Sequence, residues 1–461
     1  MRTTLVCVAL LASASACGGS RSTSNPDSTS GDGVGFTDFI APRDLQRDVT
    51  VDLPSIDAPA DGGGDTGAGD TGAGETPSGD ATVDGAAGDT TVDATSPDSS
   101  VDGSVDMGAP PLRRSDWMSY TGSGYTNAVY MSNGNGTFTR TTFTSGSPFH
   151  SGYLWVGDYD GDGQSDWMSL VPNTSYVVVH RSNGNGTFLG TTYNAGTWRA
   201  DATRVGDFNG DGQTDFISYT GSGYVMAVYL SNGDGTFTRS TYNAGPVFHS
   251  GYMWVGDFNG DGNDDWISYT GSGYQMALYI SNGSGSFTRY PFDAGPVFSA
   301  SYVWIGDFNG DGNADWLSYT GSGYQTALYI SNGTSSFTRY TFNAGPVFSA
   351  NNVWVGDFNG DGSDDWLSYT GSGYQTAVYL SNGQNGFTRV TYDAGPAFHA
   401  GYVWVGDFNA DGRSDWISYT GSGLDLAVYL SNGNGTFTRS VYNAGPAWNA
   451  NNVWIGDWNG Q

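Results

Sequence analysis

Acidic side chains recur in a nine-residue pattern, D-x-[DN]-x-D-G-x-x-D, that occurs six times between residues 158 and 415. Carboxylate or amide oxygens at positions 1, 3, 5 and 9, with a backbone carbonyl at position 7, can surround a hard cation. Calcium fits best, because it accepts about six to eight oxygen ligands in flexible geometry, whereas magnesium needs a tight octahedron and zinc prefers nitrogen or sulfur. The predicted metal residues at positions 1, 3, 5, 7 and 9 are Asp158, Asp160, Asp162, Gln164, Asp166; Asp207, Asn209, Asp211, Gln213, Asp215; Asp257, Asn259, Asp261, Asn263, Asp265; Asp307, Asn309, Asp311, Asn313, Asp315; Asp357, Asn359, Asp361, Ser363, Asp365; and Asp407, Asn409, Asp411, Arg413, Asp415.

These loops are not EF-hands, and a seventh copy is incomplete. An EF-hand needs glutamate at position 12, where this chain has residues such as Ser169, and a strand-like segment follows in place of a helix. An Asx-rich turn without metal is the alternative interpretation. The seventh loop combines Asp457 and Asn459 with the distant Asp116, and Gln461 stands where an aspartate belongs. We expect that composite site to be weak or empty.

The loops are spaced by 49 or 50 residues, and this period predicts the architecture. Within one unit, four short apolar segments at 252–256, 265–269, 275–281 and 287–292 are separated by glycine-rich turns. Four strands repeated about every 50 residues are typical of a propeller blade. The sequence therefore predicts an all-β, seven-bladed β-propeller of four-stranded blades.

The two ends of the repeated region predict that the ring closes. The region begins in mid-unit at residues 115–117, and residues 452–456 supply the strand that this first unit lacks. Pairing of the N- and C-terminal segments would complete one blade. An open solenoid is the alternative, but no polar capping repeat is visible. Arginines recur on the outermost predicted strand, and we interpret them as charges that guard an exposed edge: Arg239, Arg289, Arg339, Arg389 and Arg439.

Composition excludes several classes of function. The 461 residues carry a formal net charge of -30, all 16 basic residues are arginine, and Glu75 is the one glutamate. Without lysine there is no Schiff-base lysine and no phosphate-binding GK[ST] loop. The negative charge opposes nucleic-acid binding, because phosphate recognition needs clustered basic residues.

The N-terminal quarter of the chain indicates export. Residues 1–16 have a positive start and a short apolar stretch, which is typical of a signal peptide and too short to span a membrane. The following Cys17 resembles the lipidated cysteine of bacterial lipoproteins; a plain A-x-A cleavage site is the alternative. Residues 17–110 are rich in Asp, Gly, Ala and Thr, so we expect a disordered acidic linker. We predict an exported lipoprotein of the bacterial outer membrane or cell surface, with its lipid anchor at Cys17.

The phrase GDFNGDGxxDW resembles the FG-GAP or VCBS repeats of integrin α-subunit propellers, and the resemblance covers residues 111–461. It implies a calcium-binding seven-bladed propeller with about six occupied loops. The segments at 193–199 and 242–249 are similar to the YNAG phrase of integrin-like fungal propeller lectins, which bind N-acetylglucosamine and sialylated glycans. This second likeness implies carbohydrate binding. The ligand-binding metal domain of integrins is absent, so no integrin function follows.

The face opposite the loops is where we expect a ligand. Aromatic rings beside small polar groups could stack on sugars, and repetition would add avidity. The candidate ligand residues are Tyr224, Tyr274, Tyr324, Tyr374, Phe248, Phe298, Phe348, Phe398, His249, His399, Trp198 and Arg199. Alternatively, the aromatics fill gaps between blades and the histidines are ordinary surface residues.

Three functions remain open. We favour a monomeric, non-catalytic propeller that binds glycans, as a lectin-like or adhesion module. A protein-binding scaffold of the cell envelope that recognises cell-surface proteins is the closest alternative. A hydrolase is disfavoured, because near-identical repeats argue for repeated binding sites and the acids are committed to metal loops. A single active site around His180 in the divergent second unit is the remaining catalytic hypothesis.

Overall fold

The computed structural model describes residues 113–461, except positions 123, 147, 148, 247, 297, 322, 347, 372, 397, 422 and 447. The predicted signal peptide (1–16), Cys17 and the predicted linker (17–110) lie outside the described residues. No helix among those described is long and apolar enough to cross a membrane.

The described chain forms seven four-stranded antiparallel sheets, which are the blades of a propeller. Each blade has strands A to D, numbered here in chain order. The strands are β1 (Asp116–Tyr120), β2 (Thr126–Ser132), β3 (Phe138–Thr144), β4 (Leu154–Gly157), β5 (Asp166–Leu170), β6 (Tyr176–Ser182), β7 (Phe188–Asn194), β8 (Thr203–Gly206), β9 (Asp215–Tyr219), β10 (Val225–Ser231), β11 (Phe237–Asn243), β12 (Met253–Gly256), β13 (Asp265–Tyr269), β14 (Gln275–Ser281), β15 (Phe287–Asp293), β16 (Val303–Gly306), β17 (Asp315–Tyr319), β18 (Gln325–Ser331), β19 (Phe337–Asn343), β20 (Val353–Gly356), β21 (Asp365–Tyr369), β22 (Gln375–Ser381), β23 (Phe387–Asp393), β24 (Val403–Gly406), β25 (Asp415–Tyr419), β26 (Asp425–Ser431), β27 (Phe437–Asn443) and β28 (Val453–Gly456).

Blade 1 confirms the predicted ring closure. Its strand order is β28-β1-β2-β3, so the C-terminal strand supplies strand A of the first sheet. Blades 2 to 7 follow as β4–β7, β8–β11, β12–β15, β16–β19, β20–β23 and β24–β27. A single turn of 3₁₀ helix, Ala200–Ala202, precedes strand A of blade 3.

Burial explains why the strands differ in sequence. Strand C, such as β14, has four consecutive buried residues, because both of its faces are covered by neighbouring blades. Strand D, such as β19, alternates between more and less exposed residues because it lies at the outer edge. The B-to-C turn of blade 4 needs glycine at Gly271 and Gly273, whose φ values are 86° and 59°.

A stacked aromatic pair joins strands B and C on the face of each blade that packs against the preceding blade. In blade 4 the Trp266 indole lies parallel to the Tyr279 ring, with centroids 3.7 Å apart and an interplanar angle of 1°. The Tyr279 hydroxyl then donates a hydrogen bond to the Ala244 carbonyl of blade 3 at 2.9 Å. One stacked pair therefore links two strands of a blade and contacts the preceding blade.

Two circles of hydrogen bonds join all seven blades. The backbone N–H that precedes each strand B donates to the carbonyl of the first loop aspartate in the preceding blade, at 2.5 to 2.6 Å. The seven pairs are Ser115–Asp407, Ser165–Asp457, Thr214–Asp158, Asp264–Asp207, Ala314–Asp257, Asp364–Asp307 and Ser414–Asp357. The serine hydroxyl that ends each strand C donates to the next carbonyl of the same preceding loop, as in Ser281 to Phe208 at 2.6 Å.

The arginines on strand D have a different role from the one predicted. Arg339 donates through Nη1 to the Ala294 carbonyl of the preceding blade at 3.0 Å, the same carbonyl that accepts from Tyr329. Arg389 and Arg439 make the equivalent bonds. They act between blades, so the interpretation as simple edge charges was incomplete.

Candidate metal loops and the opposite face

The aspartate at position 1 organises the backbone of each A-to-B loop. In blade 4, Asp257 Oδ1 accepts the N–H of Gly260 at 2.7 Å, and Oδ2 accepts the N–H of Gly262 at 2.8 Å. Both glycines have positive φ, 70° and 85°, so the loop can wind tightly around the carboxylate. The remaining lone pairs of this carboxylate are oxygen donors of the kind that calcium accepts.

The aspartate at position 9 ties the loop to strand C. Asp265 is fully buried; its Oδ2 accepts the Phe258 N–H at 3.1 Å, and its Oδ1 accepts the Ser281 N–H at 2.7 Å. Burial raises the pKa of Asp265 to about 8, opposed by the Ser281 hydrogen bond. The same direction and cause hold at the equivalent carboxyls, Asp116, Asp166, Asp215, Asp315, Asp365 and Asp415. A bound cation would favour the charged form of these carboxyls.

Positions 3 and 5 distinguish the second blade from the others. In blade 4 the Asn259 amide donates to Asp261 Oδ2 at 2.9 Å. This hydrogen bond partly offsets the negative charge of the Asp261 carboxylate within the loop. The loops of blades 3, 5, 6 and 7 contain the same bond. Blade 2 has Asp160 in place of the asparagine, and a carboxylate cannot donate such a bond.

The loop of blade 2 is a candidate metal centre. Carboxylate oxygens of Asp158, Asp160 and Asp166 lie within 4.8 Å of one another, the one such acidic group found in the described part of the chain. Asp160 Oδ1 is buried and has no hydrogen-bond partner there. Burial raises the pKa of Asp160, and the neighbouring Asp162 and Asp158 raise it further. The Arg181 guanidinium, 3.7 Å from Asp160 Oδ2, opposes this rise. An all-oxygen cluster with a free buried lone pair fits calcium.

In four of the six complete loops the side chain at position 7 contacts the carboxylate at position 5. Gln164 Nε2 donates to Asp162 Oδ2 at 2.7 Å, and Asn263 makes the equivalent bond to Asp261. In blade 7, Arg413 lies 2.5 Å from Asp411 and supplies an internal positive charge. Since these side chains are bonded to position 5, the ligand expected at position 7 is the backbone carbonyl, as the sequence pattern predicts.

The composite seventh loop is assembled from both ends of the propeller. Asp116 accepts the Ser132 N–H at 2.7 Å and the Trp458 N–H at 3.1 Å, as the other position-9 residues do in their blades. Arg113 Nη1 lies 3.6 Å from Asp457 Oδ2. A guanidinium thus faces the acidic oxygen of this loop, which favours the expectation of weak metal binding there.

The opposite face presents the turn tyrosines. Tyr224, Tyr274, Tyr324 and Tyr374 are each 40 to 43% exposed. The residue after each of the last three is a glutamine at the start of strand C, and it pairs across the sheet with the last residue of strand D, an aspartate or asparagine. In blade 4 the Gln275 amide donates to Asp293 Oδ2 at 3.0 Å. An exposed ring therefore lies next to an amide and a carboxylate.

The phenylalanines proposed as ligand residues are instead packing residues. Phe248, Phe298, Phe348 and Phe398 are 7 to 8% exposed. Phe298 lies edge-on to Trp316, with ring centroids 5.9 Å apart, and against Tyr269 of the preceding blade. The alternative that these rings fill gaps between blades is the correct one for the phenylalanines, because a buried ring offers no face to a sugar.

The remaining candidates lie near the D-to-A connections. His249 is exposed and His399 half-buried; each Nδ1 accepts a backbone N–H, from Gly251 and Gly401 respectively. Trp198 is half-buried against Trp155. Arg199 is exposed, forms an ion pair with Asp201 and lies 5.9 Å from the centroid of the Tyr219 ring.

His180 cannot act as the catalytic base considered above. It is 1% exposed and stacks on Trp167 with ring centroids 3.7 Å apart. Burial lowers the pKa of its imidazole to about 3. A substrate could not reach this ring in the folded structure.

Sequence reasoning missed two residue types that act across the loops. Asp264 Oδ2 accepts the Asp207 N–H of the preceding blade at 2.8 Å, and Asp364 does the same for Asp307 at 2.9 Å. Arg181, which contacts Asp160, stands where the other strands C have an aliphatic residue or methionine. Its departure from the repeat was the available signal. Position 8 varies among Asp, Ser, Thr and Ala, so it gave no comparable one.

Comparison with known proteins supports the fold. The FG-GAP-like repeat matches residues 158–218, 207–268, 257–318, 307–368 and 357–418. No curated protein matches the chain. Among solved structures, a lectin from Agrocybe aegerita that recognises non-reducing terminal N-acetylglucosamine is similar at 17% identity and a TM-score of 0.55, over 75% of this chain and 95% of the lectin.

Two further solved structures match with lower scores. The BP39L lectin from Burkholderia pseudomallei is 16% identical, with a TM-score of 0.48 over 71% of this chain and 98% of that one. The dihydro-haem d1 dehydrogenase NirN is 10% identical, with a TM-score of 0.43 over 77% of each chain. Similarity at these levels concerns the fold and does not by itself decide between binding and catalysis.

Proposed function

Because this chain belongs to the FG-GAP-like repeat family, we propose that it is a non-catalytic, calcium-stabilised propeller that binds carbohydrate through the face opposite its aspartate loops. The observation that carries the proposal is the repetition of an exposed tyrosine beside an amide and an acidic or amide partner in three consecutive blades. These sets are Tyr274, Gln275 and Asp293; Tyr324, Gln325 and Asn343; and Tyr374, Gln375 and Asp393.

The chemistry of these sets suits a sugar. A tyrosine ring can cover the apolar face of a pyranose, while glutamine, asparagine and aspartate side chains can bond its hydroxyls. Three neighbouring copies could engage several residues of one glycan or several glycans of one surface, which raises avidity without a new contact. The recognition of N-acetylglucosamine by the similar Agrocybe lectin supports this ligand class.

Calcium belongs to the proposal as a structural ion. Asp158, Asp160 and Asp166 are the residues best placed to hold it, and positions 1, 3, 5 and 9 of the other five loops offer the same donor types. The ion would supply the positive charge that allows several carboxylates to share one loop. Because every loop is bonded to the next blade, order in the loops would extend to the ring.

The proposed location is the bacterial envelope. We infer that Cys17 carries the lipid anchor and that residues 17–110 tether the propeller at the outer membrane or cell surface. Release of the intact protein by detergent, and its redistribution to the soluble fraction after Cys17→Ser, would test this. A variant that remains with the membrane would contradict the lipid anchor.

A glycan-array assay of the mature chain in calcium tests the carbohydrate proposal. We expect binding to a defined glycan class, and a loss of at least about tenfold when Tyr274, Tyr324 and Tyr374 are all changed to alanine. Tyr290→Ala is the matched control, since this tyrosine is 39% exposed but lies on outer strand D. No binding by a folded, calcium-loaded sample would refute the carbohydrate proposal and favour a protein-binding scaffold.

A further inference from the structure

Six of the seven contacts between neighbouring blades contain the same clamp. A strand-C tyrosine donates its hydroxyl proton to an alanine carbonyl just after strand D of the preceding blade, at 2.6 to 2.9 Å. The pairs are Tyr130–Ala444, Tyr229–Ala195, Tyr279–Ala244, Tyr329–Ala294, Tyr379–Ala344 and Tyr429–Ala394.

Arginines add to four of these clamps. An arginine stands opposite the tyrosine in the strand C to strand D register, as Arg239 does for Tyr229 and Arg339 for Tyr329. Arg239 Nε donates to the Tyr229 hydroxyl at 3.2 Å, and Arg339, Arg389 and Arg439 reach the clamped carbonyl itself. The tyrosine and the carbonyl of the preceding blade are therefore the constant parts of the clamp.

The contact between blades 1 and 2 lacks this clamp. Blade 2 has His180 in place of the tyrosine and Gly190 in place of the arginine, in the same register. Both imidazole nitrogens of His180 are buried without a hydrogen-bond partner in the described part of the chain. Burying polar atoms without partners costs free energy, so this contact replaces a stabilising group with a destabilising one.

Three hydrogen bonds between blades 1 and 2 lie on the aspartate-loop face. The Ser165 N–H donates to the Asp457 carbonyl at 2.6 Å, and Ser165 Oγ accepts the Asp457 N–H at 2.9 Å. The Ser182 hydroxyl donates to the Trp458 carbonyl at 2.7 Å. In the other contacts the tyrosine hydroxyl bonds a carbonyl of the D-to-A connection, which lies on the opposite face. That bond is the one missing between blades 1 and 2.

From this asymmetry we propose that the propeller opens transiently between blades 1 and 2, with the aspartate-loop face as the hinge and the opposite face as the mouth. Opening there breaks no tyrosine clamp, whereas opening at any of the other six contacts breaks one. The seam is thus built into the ring by two substitutions in one blade, and it exposes the surfaces of Val129 and Trp167.

Thiol labelling under native conditions tests the seam. Val129 and Val228 are both fully buried and occupy the fourth position of strand C, but Val129 faces the seam and Val228 faces a clamped contact. In the full chain, with modification measured peptide by peptide, V129C should react at least about tenfold faster than V228C. The double change His180→Tyr with Gly190→Arg should slow V129C to the rate of V228C.

A second pair of cysteine variants provides an independent test in case a variant of the first pair does not fold. Met118 and Ile217 are fully buried at the third position of strand B, on the same two contacts. M118C should again react faster than I217C, and the same double change should remove the difference. Equal rates within either folded pair, or a difference that survives the restored clamp, would overturn the proposal.

Discussion

The two faces of this propeller are built from the same repeats but differ in how uniform their side chains are. On the aspartate-loop face, Asp at positions 1 and 9 recurs in every blade, and each of these residues bonds backbone groups. On the opposite face, the residue that follows the buried D-to-A aromatic varies widely: His150, Arg199, His249, Ser299, Ser349, His399 and Asn449. Side chains committed to bonds within the loops recur in every blade, whereas this position of the D-to-A connection tolerates many residue types, so the opposite face combines constant contacts between blades with a variable surface.

Removing divalent cations should have the largest effect and act through the loop face alone. A loop saturated at one hundred times its dissociation constant contributes about 2.7 kcal/mol, and several loops would add to this. We expect chelator to lower the melting temperature in a scanning calorimeter, and added calcium to restore it. Superimposable melts with and without chelator would contradict the calcium assignment.

Removing one carboxylate from each face of blade 4 should lower the free energy of unfolding by different amounts. Asp265→Ala leaves the N–H groups of Phe258 and Ser281 without acceptors, at about 2–6 kcal/mol in total. Asp293→Ala, on the exposed opposite face, should cost less than about 1 kcal/mol. Urea unfolding in calcium measures both, and comparable losses would remove the distinction between the faces.

Acid should weaken the seam through His180. Burial holds the folded pKa of His180 near 3, while the unfolded chain binds a proton near pH 6.5. Stability from the neutral imidazole is therefore complete above pH 6.5 and falls by up to about 1.4 kcal/mol per pH unit down to about pH 3. The rings packed on it, Trp167 and Phe143, carry no charge.

The stability difference between wild type and His180→Tyr isolates this effect, because all carboxyl groups are shared. We expect the variant to gain on the wild type as the pH falls from 6.5 to 4.5 in chemical denaturation. A difference that stays constant over that range would show that His180 does not titrate on unfolding.

The smallest expected change in stability comes from removing one tyrosine hydroxyl, either from a contact between blades or from an exposed turn. Tyr329→Phe removes the donor to the Ala294 carbonyl and should cost about 1 kcal/mol. Tyr324→Phe makes the same chemical change on a turn tyrosine that is 40% exposed and should leave stability unchanged. If both variants unfold at the same denaturant concentration, the clamp contributes nothing measurable.

The ring could be predicted from the sequence because each repeat of 49 or 50 residues corresponds to one blade. Spacing of the loop aspartates indicated seven blades, and the two half-units at residues 115–117 and 452–456 indicated the closure that β28 and β1 form. In blade 4 the strand ends differ from the predicted ones by one residue: strand A begins at Met253 and strand D ends at Asp293. At position 9 the backbone hydrogen bonds of Asp265 were not foreseen, and its role as a metal ligand stays a prediction.

What the sequence could not give depends on packing between blades. Phe298 and Tyr324 are both aromatics near the same face, and only the adjacent blade decides that the first is buried and the second exposed. The role of Arg339 depends on a carbonyl 45 residues away, which no local pattern reveals. His180 departs from the repeat, but the sequence alone does not show whether a substrate can reach its imidazole.

The circle of backbone bonds around the loops has a consequence for how the chain could be connected. Each blade donates to its predecessor, and the series returns to its starting point through Ser115 and Asp407 and through Ser165 and Asp457. Spatially, no blade is first or last. A circularly permuted chain, cut in another A-to-B loop and joined across the present closure, would therefore retain the full cycle, with strand order in space unchanged and only the order of synthesis altered.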